Sequence, residues 1–227
     1  MQYEAIHPSL SVAGFETVSS VLDAAERRML DARVDACGDP RAGARDMLAH
    51  AWCRELALRL KRHFGIARRL HPQALAVQCT LFDKSCARNW SVAMHQDLSV
   101  PVCRRSDVPG FTGWSEKAGV IFVQPPVAVL ECLLVVRMHL DDCGPDAGAL
   151  RVVPGSHRHG RLNARRIEAL RLANGEVLCP VPNGGVLLMR PLLLHASAKA
   201  IAAAHRRVLH FVFAPPELPA DLEWHYR

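Results

Sequence analysis

The chain has 227 residues, of which 50% are hydrophobic and 22% charged, and this is enough apolar material for one packed domain over residues 1–227. Its net charge is +6, but the basic residues are dispersed and aromatic residues make up only 6%, so we expect no nucleic-acid partner. The sequence has neither a run of 18 apolar residues nor a signal-peptide pattern, so we expect a cytoplasmic protein without a membrane span.

The N-terminal part of the chain has the pattern of amphipathic helices. Apolar residues recur at steps of three and four over residues 16–36, and the same period returns over residues 44–63. This spacing predicts two helices, because it places the apolar side chains on one face. A Gly-Asp-Pro turn at 38–40 separates them, and the helical region is placed at about 16–64.

From residue 74 the pattern changes to short apolar runs that are separated by turn signals such as Pro-Gly and Asn-Gly. These runs predict β-strands at 74–82, 91–97, 133–140, 149–154, 184–190 and 206–214. One short helix is expected within residues 160–173. Strands spaced in this way favour an antiparallel sandwich or barrel. The sequence therefore predicts a mainly β core at about 74–216, with flanking helices.

Two residues with metal-binding side chains lie at the end of one predicted strand. His95 and Asp97 are separated by one residue, and alternate residues of a strand point to the same face, so an imidazole and a carboxylate can sit side by side. A second histidine would complete a triad of two histidines and one carboxylate, which leaves one face of an iron(II) ion open for reactants. The pair alone is not specific, because a solvated histidine at a strand end is the common alternative.

The downstream half of the chain supplies candidates for the rest of such a site. His195 follows three leucines at the end of an apolar run, where it could also be a core-edge histidine bonded to the backbone. Arg206 comes eleven residues later, at the start of the last predicted strand. Its planar guanidinium can bind a carboxylate through two hydrogen bonds and keeps its charge. A bound dicarboxylate would therefore account for this arginine.

Four features, in order, resemble the phytanoyl-CoA dioxygenase family over residues 92–214, which is more than half of the chain. They are the MHQD motif that ends at Asp97, the stretch HLDDCGPDAGALRVVPGSHRHG at 139–160, the HAS motif that begins at His195, and Arg206. Each motif is modestly specific, but their order and spacing together make the resemblance strong. The resemblance implies a double-stranded β-helix, that is, a cupin-like jelly roll.

The resemblance also implies a site and a reaction. The iron(II) ligands would be His95, Asp97 and His195. Arg206, assisted by Ser197, would hold the distal carboxylate of the co-substrate 2-oxoglutarate, and Arg207 is the alternative if the register is shifted by one. Related halogenases have a small residue in place of the aspartate. This chain keeps the aspartate, so the resemblance favours hydroxylation, or a related oxidation, of a small-molecule substrate with O2, which releases succinate and CO2.

Residues near these motifs carry further expectations. Lys84 could contribute to binding of the co-substrate or substrate, but a solvated lysine at a strand end is the favoured interpretation. His139 and His210 are expected to be inward-facing packing groups rather than ligands. Trp90 and Trp114 could line the mouth of the pocket, and ordinary packing is the alternative for both.

The stretch 105–126 follows the MHQD motif and is expected to be a long loop that covers the site as a lid, because long loops in compact domains are usually functional. A different class of function remains open, namely a non-catalytic, cupin-like binding protein of the same fold. The presence of every expected ligand argues against it. The sequence predicts neither the identity of the substrate nor the oligomeric state.

Overall fold

The computed structural model describes residues 9–38, 43–85, 88–201 and 205–226. Residues 1–8, to which the prediction about a signal peptide applies, lie outside this part of the chain. No helix among the described residues combines the length and the apolar character needed to cross a membrane. The single domain stays a prediction.

The described residues form five α-helices and twelve β-strands. The helices are α1 (Ala24–Asp35), α2 (Ala51–Arg62), α3 (Phe64–Ala67), α4 (Val127–Glu131) and α5 (Ala164–Asn174). The strands are β1 (Phe15–Val18), β2 (Leu75–Lys84), β3 (Val92–His95), β4 (Val100–Val102), β5 (Thr112–Lys117), β6 (Val120–Gln124), β7 (Leu134–His139), β8 (Leu150–Val152), β9 (Val177–Cys179), β10 (Val186–Met189), β11 (His195–Ser197) and β12 (Arg206–Ala214). The predicted mainly β class is confirmed.

Two apolar clusters give the layers of the fold. One lies between the helices and a sheet, and it includes Leu30 of α1, Leu60 of α2 and Phe211 of β12. The other includes Val152 of β8 and Val212 of β12, which belong to different sheets. Adjacent residues of β12 thus enter opposite clusters, because successive side chains of a strand point to opposite faces.

The strands form two larger sheets that share the second cluster. The five-stranded sheet has the order β1-β10-β7-β12-β2, and the four-stranded sheet has the order β3-β11-β8-β9. The paired strands of both sheets run antiparallel. A smaller sheet, β4-β6-β5, extends the molecule. This is the double-stranded β-helix, or cupin-like jelly roll, that the family resemblance implies.

The prediction of a helix over residues 16–36 is wrong in its first part. Residues 15–18 form β1 and pair with β10, and α1 begins only at Ala24. The side chain of Asp23 accepts hydrogen bonds from the backbone N–H groups of Ala25 and Glu26, and the Glu26 carboxylate accepts one from the N–H of Asp23. This capping box fixes the start of the helix.

Two other segments also differ from the predictions. The helix predicted over 44–63 begins only at Ala51, after a single 3-10 turn. The loop predicted over 105–126 contains the hairpin of β5 and β6. Ala118 and Gly119 turn this hairpin with φ values of 52° and 78°, as a two-residue hairpin turn requires. The apolar run of β6 pairs with β4 as well, which explains why the segment is a sheet.

Candidate metal centre

Strand pairing brings the three candidate ligands together. His95 ends β3, His195 begins β11, and the two residues are direct partners in the four-stranded sheet. Asp97 lies two residues beyond the strand end, where its N–H donates to the carbonyl of Pro191 over 2.9 Å. One ligand atom from each of the three side chains lies within 4.8 Å of the others. His195 is at least 98 positions from the other two residues in the sequence, and the fold brings all three into one site.

Backbone contacts orient both imidazole rings. The Nδ1 atom of His95 lies 2.8 Å from the carbonyl oxygen of Ala93, and that of His195 lies 2.9 Å from the carbonyl oxygen of Leu193. A carbonyl oxygen can only accept, so each neutral ring carries its proton on Nδ1. The lone pair on Nε2 is then free in both rings. The Nε2 atom of His95 lies 3.7 Å from Asp97 Oδ1, and that of His195 lies 3.6 Å from Asp97 Oδ2. Both lone pairs are therefore available at the same site.

Burial and mutual charge set the protonation of the three groups. Burial lowers the pKa of His195 to about 4, which keeps its ring neutral. Burial also acts to lower the pKa of His95, but the adjacent Asp97 carboxylate outweighs it and raises this pKa. Burial acts to raise the pKa of Asp97, but the neighbouring histidines, with His195 foremost, outweigh it and lower this pKa. Asp97 is therefore ionised.

The donor set fits a divalent metal ion of intermediate hardness. Asp97 Oδ2 is buried and has no hydrogen-bond partner among the described residues, although buried carboxylate oxygens almost always have one. Two imidazole nitrogens and one carboxylate oxygen are the ligands of the two-histidine, one-carboxylate triad of iron(II) oxygenases. A metal ion would satisfy the unpaired oxygen and both ring nitrogens at once.

The three residues open into a cavity of about 360 Å³ between the two larger sheets. Its basic lining residues are Arg45, Lys117, Arg137 and Arg206. Asp97 is the single carboxylate in the lining, as far as the described residues go. Trp90 also lines the cavity, whereas Trp114 packs against the cluster between the sheets. The hairpin strands β5 and β6 contribute Lys117 and Phe122 to the wall.

The register of β12 distinguishes the two neighbouring arginines. Arg206 is buried and lines the cavity, and its Nη1 donates to the carbonyl oxygen of Gly148. Its Nε is buried without a partner among the described residues. Arg207 points to the opposite face, where it forms ion pairs with Asp31, Asp35 and Asp141. Only Arg206 is therefore placed to meet a ligand in the cavity.

Lys84 is not the solvated residue that the sequence predicts. It is fully buried, and its ammonium group donates to Ser197 Oγ over 2.9 Å and to the carbonyl oxygen of Ala198 over 2.8 Å. It pairs with Arg206 across β2 and β12. Ser197 lines the cavity, and because its Oγ accepts from Lys84, its own O–H remains free to donate to a ligand.

Sequence reasoning missed Arg137 and underestimated His210. Both line the cavity, and they are partners across β7 and β12. His210 shares the face of Arg206 because four residues separate them on one strand, and this spacing could have identified it. Arg137 has no local signal in the sequence, because only the pairing of β7 with β12 brings it to the cavity. His139 is buried as expected, and neither of its ring nitrogens has a partner among the described residues.

A protein-family model matches most of the chain. The family model described as phytanoyl-CoA dioxygenase (PhyH) matches residues 11–208. No curated protein sequence matches the chain.

Solved structures share the fold at low sequence identity. AviO1 from Streptomyces viridochromogenes Tue57 superimposes with a TM-score of 0.62 at 20% identity, and the match covers 92% of this chain and 93% of AviO1. SnoK, a non-haem α-ketoglutarate-dependent carbocyclase from nogalamycin biosynthesis, gives 0.68 at 17% identity and covers 96% and 85%. HygX from Streptomyces hygroscopicus, with nickel and 2-oxoglutarate bound, gives 0.61 at 19% identity and covers 91% and 84%.

Proposed function

We infer that this chain, which belongs to the phytanoyl-CoA dioxygenase family, binds iron(II) through His95, Asp97 and His195. It is a non-haem iron(II)- and 2-oxoglutarate-dependent oxygenase. The assignment of the three ligands rests above all on the buried, unpartnered Oδ2 of Asp97, which faces the Nε2 of His195 at 3.6 Å. The non-catalytic alternative is set aside, because the family consists of enzymes.

Arg206 is the proposed anchor of 2-oxoglutarate. A buried guanidinium without a carboxylate partner is unfavourable, and a bound dicarboxylate would supply that partner through paired hydrogen bonds. Ser197 would donate its free O–H to the same carboxylate, while Lys84 holds Ser197 from behind. When they are bound, iron(II) and 2-oxoglutarate supply the oxidising chemistry with O2, and the products are hydroxylated substrate, succinate and CO2.

The chain itself contributes to the reaction by positioning the groups of the site and by excluding water. The carbonyl oxygens of Ala93 and Leu193 hold the two imidazole rings in the required tautomer. His195 and Arg206 are almost wholly buried, so their interactions take place in a region of low dielectric, where they are stronger than in water. His95 is half-buried and also lines the cavity.

The substrate is proposed to be small and anionic. Arg206 is matched by the distal carboxylate of 2-oxoglutarate, which leaves Arg45, Lys117 and Arg137 in the lining. Arg45 and Lys117 are exposed, and no carboxylate lies within ion-pairing distance of either among the described residues. A cleft lined by one sign of charge raises the local concentration of ligands of the opposite sign. A carboxylate or phosphate group on the substrate would meet this charge.

Binding of iron and 2-oxoglutarate can be tested without turnover. Under anaerobic conditions, metal-free protein that receives iron(II) and 2-oxoglutarate is expected to develop the visible charge-transfer band of the chelate. His95→Ala should abolish the band, because it removes a ligand. Arg206→Ala should raise the Kd for 2-oxoglutarate at least about 30-fold, since truncating one member of a buried charged pair costs about 2–5 kcal/mol.

Arg207→Ala is the matched control for the arginine, because it removes the same side chain from the next position of β12. Its band and its Kd for 2-oxoglutarate should stay close to wild type. A wild-type protein that is demonstrably metal-free and gives no band would overturn the oxygenase site. A larger loss in Arg207→Ala than in Arg206→Ala would show that the register assigned to the anchor is wrong.

The class of substrate is tested by succinate release. The wild-type enzyme with iron(II), 2-oxoglutarate and O2 is offered small carboxylic acids and phosphate monoesters, together with the matching amides and alcohols. We expect stimulated succinate release only from anionic members, because they alone satisfy the cations of the lining. Equal stimulation by a neutral amide and its parent acid would contradict the proposal.

A further inference from the structure

His210 lies on an interior strand of the five-stranded sheet, with its ring between two charged groups. It belongs to β12, and its partners across the sheet are Arg137 on β7 and Thr80 on β2. The ring is almost wholly buried. Its Nδ1 lies 2.7 Å from Nη1 of Arg137, and its Nε2 lies 3.7 Å from Oδ2 of Asp97. The three residues therefore form a continuous line from the sheet to the metal centre.

The first contact fixes the tautomer of the ring. A guanidinium can only donate hydrogen bonds, so Nδ1 of His210 must accept from Arg137. A ring that accepts at Nδ1 has no proton on that atom, so it is not an imidazolium and is neutral. A neutral ring that accepts at Nδ1 carries its proton on Nε2. This is the opposite of the tautomer of His95 and His195, whose Nδ1 atoms face carbonyl oxygens.

The second contact places that proton near an acceptor, the Asp97 carboxylate. Oδ2 of Asp97 is buried and accepts no hydrogen bond from the described residues. At 3.7 Å the Nε2–H of His210 is a few tenths of an ångström too far for a hydrogen bond, and contacts of this kind tighten when a site is loaded. Partners of this type orient metal-binding carboxylates and tune the affinity for the metal.

We propose that Arg137 and His210 act as a positioning relay in which Arg137 holds the Nε2–H tautomer of His210, and His210 orients the Asp97 carboxylate for the metal. The proposal rests on the iron site proposed above, and it gives His210 a role beyond the packing that the sequence predicts. The contact between Arg137 and the ring of Phe82, at 5.6 Å from the centroid, helps to keep the guanidinium in place.

The tautomer is tested on metal-free protein at neutral pH. Two-bond 1H–15N correlation spectra of uniformly 15N-labelled protein distinguish the two neutral tautomers, and the His210 signals are assigned by their loss in His210→Phe. We expect a proton on Nε2 in the wild type and loss of this preference in Arg137→Leu. A proton on Nδ1 in the wild type would overturn the relay, whether or not the protein binds a metal.

The effect on the metal is measured by calorimetric titration with nickel(II) alone. His210→Phe keeps the ring volume but has no donor, so the affinity should fall about 10–100-fold, which is the range for outer partners of metal ligands. His210→Gln can place an N–H close to the position of Nε2 and should recover most of the affinity. His139→Phe removes another buried histidine of the same sheet and should bind like wild type.

These outcomes separate the relay from the metal site. Equal affinities for wild type and His210→Phe would overturn the relay and leave the metal site standing. No nickel binding by wild type would overturn the metal site, and the tautomer measurement would still decide between the two orientations of His210. Circular dichroism of each variant identifies any that fails to fold, in which case His210→Gln and Arg137→Leu carry the comparison.

Discussion

Lys84 is the residue whose environment differs most from what its type suggests. It is a lysine without solvent exposure, held by one hydroxyl and one carbonyl oxygen, and its ammonium lies 5.2 Å from the ring centroid of Trp90. Burial lowers its pKa to about 7, and the charges of Arg206 and Arg137 add to this effect. Lys84 therefore changes its charge close to neutral pH, and it is the donor of the hydrogen bond to Ser197 Oγ.

The lowered pKa gives a prediction about stability. The unfolded lysine has a pKa of about 10.4, so between pH 7 and that value the unfolded state binds more protons than the folded state. Stability must therefore rise with pH across this window, by up to about 1.4 kcal/mol per pH unit from this group. Urea denaturation of metal-free protein at several pH values should show the rise in wild type and a flatter profile in Lys84→Met.

The control for this measurement is Lys199→Met, which removes an exposed lysine two residues after Ser197. Its profile should follow that of wild type, because other groups of the protein contribute equally to both. An identical slope in wild type and Lys84→Met would mean that Lys84 keeps its proton in the folded protein.

At the scale of the element, β12 shows what the sequence can predict. Its bounds match the prediction of residues 206–214, because a run of apolar and β-branched residues between polar segments has few other solutions. Alternation along the strand also separates Arg206 from Arg207. Of the two candidate histidine ligands, His95 ends a strand as its pattern indicates, whereas His195, predicted at the end of an apolar run, begins a strand.

Other elements depend on partners that the sequence does not name. Residues 16–18 of β1 fit the helical spacing of apolar residues that continues into α1, and only their pairing with β10 makes them part of a strand. The contact of Arg137 with His210 joins residues 73 positions apart. It follows from the order β7-β12 within the sheet, and no local pattern encodes that order. The hairpin of β5 and β6 was not predicted, because its turn has no Asn-Gly or Asp-Gly signal.

At the scale of the whole molecule, the charge is distributed so that it can act on ligands. The net charge is +6, and four basic residues line the cavity against one described carboxylate. Exposed charges are screened over about 10 Å at 0.1 M salt, whereas buried charges are screened much less. Arg45 and Lys117 should therefore act mainly on the approach of an anion, and Arg206 on its retention.

This division predicts how 2-oxoglutarate binding responds to salt. In anaerobic stopped-flow experiments that follow the chelate band, raising sodium chloride from about 0.05 M to about 0.5 M should slow association, because screening shortens the reach of the exposed cations. Dissociation should change little, since Arg206, the proposed anchor, is buried. The double variant Arg45→Gln and Lys117→Gln should associate more slowly at low salt and lose most of the salt dependence.

The control is the double variant Arg28→Gln and Arg62→Gln, which removes the same charge from exposed positions of α1 and α2 outside the cavity lining. It should behave like wild type. If both double variants lose the same amount, the net charge of the molecule governs association; if only the first does, the cations at the cavity govern it.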